Sequence, residues 1–306
     1  MTEAASWPKQ RVAAPAGGDS LLIDAHTHAF LPADLETLAQ RMALLDAHLH
    51  DDDPHKWRLF GQGSLEAVAE SMARAGAQRF VLLPVASSRE RVGQLNRWAA
   101  QAAAEHPGLI PFGTLHPKGQ VTADLALLLD LSLRGVKLHP FIQRFSLADP
   151  EVEELLSQVE AAGLPVLLDT IHPRGLAQAK PHMAQVLEFL GFSGTLPEQV
   201  AALARAHPGL KVIAAHGGSL YGWQELDPLM ALDNVYFDLA YLNGLIATEA
   251  LMGIIRRKGP ERIIYGSDAP WREPVAFRKW FEDLPLTSGE REMISAGTLL
   301  ELLGEA

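Results

Sequence analysis

Two histidines one residue apart, His26 and His28, close the segment LLIDAHTH and are the first candidates for chemistry. In an extended chain, residues two apart point to the same side, so both imidazoles face one space. Neutral imidazoles side by side fill a core poorly but ligate zinc, iron or manganese well. Alone, a His-x-His pair is a chance-prone motif. Later apolar runs repeat its pattern of ending in polar side chains. Lys137 and His139 end GVKLH, Asp169 and Thr170 end PVLLDT with His172 close behind, His216 ends LKVIAAH, and Asp268 follows RIIYGS. His116 follows another such run as a candidate substrate contact. Core packing gives no reason for these groups.

Eight short apolar runs must position them, at 21–26, 79–85, 109–115, 135–139, 165–170, 210–216, 234–240 and 262–267. Each is rich in Val, Ile, Leu or Phe with few charges, as parallel strands buried on both faces require. Amphipathic stretches lie between them. SLEAVAESMARAG offers Ser64 as N-cap and closes on Gly76, and DPEVEELLSQVEAAG offers Asp149 as cap, Pro150 at the first helical position and Gly163 at the end. Eight strands alternating with helices is the count of an α/β fold of the (β/α)8 TIM-barrel type. An open doubly wound sheet would carry a Gly-rich phosphate turn, and none occurs. Residues 31–63 and 171–209 are longer than ordinary connections and read as insertions after strands one and five, on the catalytic face. Residues 1–20 read as a flexible lead-in to a single domain at 21–306.

The chain has 306 residues, 48% hydrophobic and 21% charged, with no cysteine and a formal net charge of −11. Absence of cysteine excludes disulfides, thiolate zinc sites and Cys nucleophiles, and fits a cytoplasmic location. The acidic balance argues against nucleic acid, which needs a basic face. No apolar run reaches the roughly 18 residues of a membrane span. The expected partners are therefore a small-molecule substrate and, in a homo-oligomer, further copies of the chain.

IDAHTH, GVKLHP, KVIAAHGG and IIYGSDAPW, in this order, give the chain a resemblance to the amidohydrolase superfamily, in its amidohydrolase-related branch that includes aminocarboxymuconate-semialdehyde decarboxylase. The resemblance spans residues 21 to 272. It implies that His26 and His28 are metal ligands, that Asp268 binds metal and handles a proton of the attacking water, and that His216 is acid/base or a second-metal ligand. It also implies a divalent metal, zinc first, with manganese or iron as alternatives. One position departs: the branch has a histidine ending strand five, where this chain has Asp169. Either Asp169 is the ligand, making the site harder and more manganese-loving, or His172 reaches in from the loop, the reading preferred here. Lys137 is either a carboxylated lysine bridging two metals, a substrate-carboxylate binder or a partner of Asp169 or Asp268.

Other groups have blander readings. His48, His50 and His55 beside Asp51, Asp52 and Asp53 read as a solvated loop, and His106 and His207 before Pro-Gly as helix ends. Tyr241, Trp271 and Arg272 either line a pocket or pack. The expected reaction is metal-assisted hydrolysis of an ester, lactone or amide. The alternatives are non-oxidative decarboxylation of an aromatic or muconate-like acid on the same site, and an inactive barrel used for binding.

Overall fold

A computed structural model describes residues 20–45, 59–181 and 194–306. The strands are Ile23–Thr27, Arg79–Leu82, a third in two pieces (Leu109–Pro111 and Gly113–Thr114), Val136–Leu138, Val166–Leu168, Val212–Ala214, Val235–Asp238 and Ile263–Ile264. Each pairs in parallel with the next, and the third strand joins the two halves of the sheet. Phe112 N donates to Leu82 O at 3.1 Å on one side, and Gly113 N to Gly135 O at 2.8 Å on the other. Ala25 N donates to Tyr265 O at 2.9 Å and Asp268 N to His26 O at 2.8 Å, which ties the last strand to the first. The result is the expected (β/α)8 barrel. The regular strands are shorter than the apolar runs because each run peels into a loop where its polar residues sit.

Helix signals are met with one exception. Ser64 Oγ accepts from Ala67 N at 3.3 Å, Pro150 opens Pro150–Ala161, and Gly76 and Gly163 take positive φ after their helices. Asp149 makes no side-chain cap; its carboxylate accepts from Ser146 N at 2.9 Å instead. Helix Pro32–Leu45 follows strand one, and helices Pro173–Ala179 and Pro197–Ala206 follow strand five. The His48–His50–His55 loop and residues 1–19 of the lead-in lie outside the described residues.

Asn96, fully buried on helix Val92–Glu105, explains how the broken third strand is tolerated. Its amide donates to Thr114 O at 3.1 Å and accepts from Thr114 N at 2.8 Å, replacing ladder bonds. Asn96→Leu leaves both backbone groups unpaired in the interior. The expected loss is about 3 kcal/mol of unfolding free energy, read as a lowered denaturant midpoint; an unchanged midpoint overturns this role.

A β-bulge in strand one sets the site. The register advances from Asp24↔Phe80 to Thr27↔Leu82, three residues against two. Ile23 and Ala25 belong to the barrel-interior cluster with Val81, Ile110, Leu167, Ile213 and Ile264. Simple alternation would send His26 and His28 to the opposite face. The extra residue resets the period and returns them to the interior. Asp24 fastens the bulge, its Oδ1 accepting from His26 N at 3.1 Å and from Ser267 N at 2.9 Å. Gly266 is required alongside, because a Cβ there would stand 2.8 Å from His26 Cβ.

The far end of the barrel is stoppered by the C-terminal helical run. Ala296, Leu299 and Leu302 pack into the interior cluster. Lys211 and Arg134, from the starts of strands, donate to the carbonyls of Leu302 and Leu303 at 3.1 and 2.9 Å. Arg79 and Arg134 pair with Glu305 at 2.7 and 2.8 Å. Cations at a helix C-terminus meet the negative end of its dipole. No described helix is long and apolar enough to cross a membrane.

Candidate metal centre

The histidines sort into two groups by what their Nδ1 atoms meet. His26 Nδ1 lies 2.7 Å from Asp238 Oδ2, His28 Nδ1 is 2.9 Å from Leu83 O, and His216 Nδ1 is 3.0 Å from Ala240 O. Oxygen acceptors place a proton on Nδ1 and turn Nε2 inward, with a free lone pair there on a neutral ring. In the second group, Nδ1 accepts from a backbone amide: Lys118 N at 3.2 Å for His116, Ile142 N at 3.5 Å for His139 and Gly175 N at 3.2 Å for His172. Their neutral rings carry the proton on Nε2 and cannot ligate through it.

Inward lone pairs converge. His26 Nε2 and His28 Nε2 are 3.2 Å apart, and Asp268 Oδ1 stands 3.6 and 3.4 Å from them. His26, Asp169 and His216 form a second triad around the same His26 Nε2. Asp169 Oδ2 is the hub of its side, at 3.2 Å from Lys137 Nζ and 3.4 Å from both His139 Nε2 and His216 Nε2. Lys137 Nζ also lies 3.4 Å from His26 Nε2.

The expectation that His172 completes the cluster is not met by this geometry. His172 caps the helix Pro173–Ala179, and its Nε2 faces Glu225 Oε2 at 3.4 Å. Asp169 occupies the space that the sequence reading gave to His172. His116 accepts from Lys118 N in a local turn, and His207 is held between Glu153 and Glu160, each 3.1 Å from a ring nitrogen, as a structural clasp at a helix end.

Burial and charge pull these groups apart. Burial, aided by Lys137, pushes His26 down to about 4, keeping it neutral and able to ligate. Burial outweighs Asp169 and, with Lys137, takes His139 down to about 3. For His216, burial is overcome by Asp169, which raises the imidazole to about 9. Asp169 itself is held well below the carboxylate range against its desolvation, chiefly by His139 and Lys137. Asp268 is lowered against desolvation by His26 and His28. Burial pushes Asp24 up to about 7.

Asp238 and Asp24 are carboxylates beside the cluster that sequence reasoning did not assign. Each is a lone acid in an apolar strand, VYFD and IDAHT, and that isolation was the available signal. His216 and Asp268 both sit at positive φ, 59° and 69°, as does Tyr241 at 69°. Such non-glycine residues cost about 1–3 kcal/mol each and concentrate at sites. Buried atoms without a hydrogen bond include Asp169 Oδ1, His172 Nε2, Ser219 Oγ, Asn243 Oδ1 and Asp268 Oδ1. These five follow strands five to eight, at one mouth of the barrel.

A divalent cation fits this arrangement. Two facing Nε2 lone pairs at 3.2 Å repel unless a cation lies near both, and the unbonded Asp268 oxygen faces the same point. Among solved structures, the chain is similar to an uncharacterized TIM-barrel protein from Bordetella bronchiseptica, at TM-score 0.70 and 19% identity over 93% of this chain and 98% of the other. A dihydroxybenzoic acid decarboxylase from Polaromonas sp., solved with bound manganese and an inhibitor, gives TM-score 0.66 and 18% identity over 94% and 97%. A probable 2-pyrone-4,6-dicarboxylic acid hydrolase from Acinetobacter baumannii gives 0.61 and 18% over 92% and 99%. No curated protein sequence matches the chain significantly. Fold, donor set and the match of the amidohydrolase family model over residues 23–304 agree, and the chain belongs to that metal-dependent family.

Proposed function

We propose that the chain is a hydrolase that opens an ester, lactone or amide of a small molecule at a single divalent cation. The observation that carries this reading is Asp268 Oδ1: buried, without a hydrogen bond, and facing two inward imidazole lone pairs. His26, His28 and Asp268 hold the cation, with Asp169 closing the set. When bound, the cation supplies Lewis-acid polarisation and acidifies a water molecule. Asp268 accepts that water's proton as the water attacks the carbonyl. His216, whose Nε2 faces Asp169 and the same space, stabilises the developing oxyanion and passes a proton to the leaving group. With Asp169 in the set, one nitrogen donor is exchanged for oxygen, which moves manganese ahead of the zinc expected from the sequence. Lys137 serves as the partner of Asp169: carboxylation would set a second anion beside that carboxylate, now 3.2 Å from Nζ.

Decarboxylation is the second reading, favoured by one observation. Asp169 Oδ2 lies 3.4 Å from His216 Nε2 and raises that imidazole, which places a proton at the cluster, as protonation of a carbanion requires. Against it, Asp169 repels a carboxylate at the centre.

The purified chain should carry one divalent metal ion, and the manganese-loaded chain should turn over at least as fast as the zinc-loaded one. Chelation should abolish ester or lactone hydrolysis, and manganese should restore it. Carbon dioxide release from aryl carboxylic acids without any hydrolysis overturns the reading in favour of decarboxylation. A chain that takes up no metal and stays inert is a binding barrel.

A further inference from the structure

Beyond strand Val212–Ala214 the chain turns the left-handed way: His216, Gly217 and Gly218 have φ of 59°, 70° and 89°. The two glycines adopt this conformation without cost, and the turn leaves no room for side chains on them. A Cβ on Gly217 would stand 3.2 Å from Trp223 Nε1, and one on Gly218 would stand 2.7 Å from Phe237 Cε1. His216 has no such freedom. A non-glycine residue keeps a positive φ only where its surroundings over-determine it. Hydrogen bonds on three of its groups do so. His216 N donates to Asp238 Oδ1 at 2.7 Å and Nδ1 to Ala240 O at 3.0 Å, while its carbonyl accepts from Trp223 Nε1 at 2.9 Å.

The first two bonds lead to strand Val235–Asp238 and the residues just after it. The third comes from the opposite direction, from the short turn Trp223–Glu225. That turn is itself fastened, since Glu225 accepts from Arg174 Nη2 at 2.8 Å and faces His172 Nε2 at 3.4 Å. The indole packs against Ile171, Leu176 and Leu220 at the mouth. A tryptophan N–H is a donor only and points one way, so it works as a rigid hook on the carbonyl. We propose that Trp223 is a positioning residue: by holding the His216 carbonyl it fixes the strained turn and with it the aim of Nε2, 3.4 Å from Asp169 Oδ2. Without the hook the carbonyl swings, φ relaxes and the ring leaves its line. A displacement of about 1 Å at a reacting group costs on the order of 100-fold in rate. What His216 does in the reaction rests on the hydrolase reading; how its ring is held does not.

The test uses the full chain loaded with zinc, which is diamagnetic, and Trp223→Phe, which keeps an aromatic ring and deletes the N–H. Solvent exchange of the His216 Nδ1–H is followed by nitrogen-15 NMR. The Nδ1–H of His28, bonded to Leu83 O, serves as internal reference. In Trp223→Phe, exchange at His216 should rise about tenfold or more relative to His28, with zinc content unchanged. Trp280→Phe, the same change on helix Pro274–Glu282 where the ring packs against Phe277, should alter neither. An equal rise at both histidines is a general loss of stability and overturns the proposal, as does no rise at all. Hydrolysis of phenyl acetate by the manganese-loaded chain is scored separately. Trp223→Phe should lower its kcat about tenfold or more with KM within about twofold, and an unchanged kcat overturns the proposal. If phenyl acetate is not turned over, the exchange result alone decides how the ring is held, and the hydrolase reading is judged apart from it.

Discussion

Asp268→Asn should lower kcat by about three orders of magnitude while leaving the fold intact. The amide preserves size and one oxygen that can still face His26 and His28, now 3.6 and 3.4 Å from Oδ1. What it removes is the capacity to accept a proton from water. Metal content measured on the same sample separates this from ligand loss: a full metal complement with a slow rate is the expected pair of results. A rate near that of the parent would show that the proton goes elsewhere and would sink the assignment.

Asp238→Asn should act on metal affinity and not on proton transfer. Asp238 Oδ1 accepts from His216 N at 2.7 Å and Ala240 N at 3.1 Å, while Oδ2 faces His26 Nδ1 at 2.7 Å. An asparagine has one carbonyl oxygen for these duties. Placing it against the two amides points its NH2 at the Nδ1–H of His26, donor against donor. Relief comes when His26 moves its proton to Nε2, which removes the ligand lone pair. Affinity for the divalent ion should fall about 10- to 100-fold, read by competition with a chelator. Nitrogen-15 shifts of the imidazole should report the changed tautomer. Unchanged affinity would mean that Asp238 does not set the ring's proton.

Strand count, helix starts and the strand-end acids were legible because each depends on neighbours in sequence. Runs of Val, Ile and Leu mark strands wherever the chain places them, and Ser64 and Pro150 act within one helical turn. The bulge was not legible. Nothing in IDAHTH says that alternation is reset after Asp24; that depends on the register with Arg79–Leu82 and on Ser267, far along the chain. The choice between Asp169 and His172 was lost for a related reason. Two residues separate them, and either could reach the mouth. The geometry that favours Asp169 lies elsewhere in the chain: the Gly175 amide donates to His172 Nδ1, and Lys137 stands beside Asp169. Likewise, the isolation of Asp238 in VYFD marked it, but nothing near it in sequence says that it meets His26 and the His216 amide.

The uneven placement of unpaired polar atoms and positive φ angles bears on how this protein would respond to selection for heat resistance. His216, Tyr241 and Asp268 hold costly backbone conformations, and Asp169 and Asp268 hold buried oxygens without a hydrogen bond among the described residues. Random variants screened only for survival at high temperature would find their quickest gains at these positions and would lose the reaction with each one. The stoppered end, where Arg79, Arg134 and Lys211 grip the last helix, holds one such backbone angle, at Ser132, and among the described residues none of the unsatisfied carboxylate oxygens. Improvement accumulated there would raise the temperature at which the barrel opens without disturbing the mouth. A laboratory lineage that keeps both properties should therefore concentrate its changes at one end of the barrel and leave the other untouched.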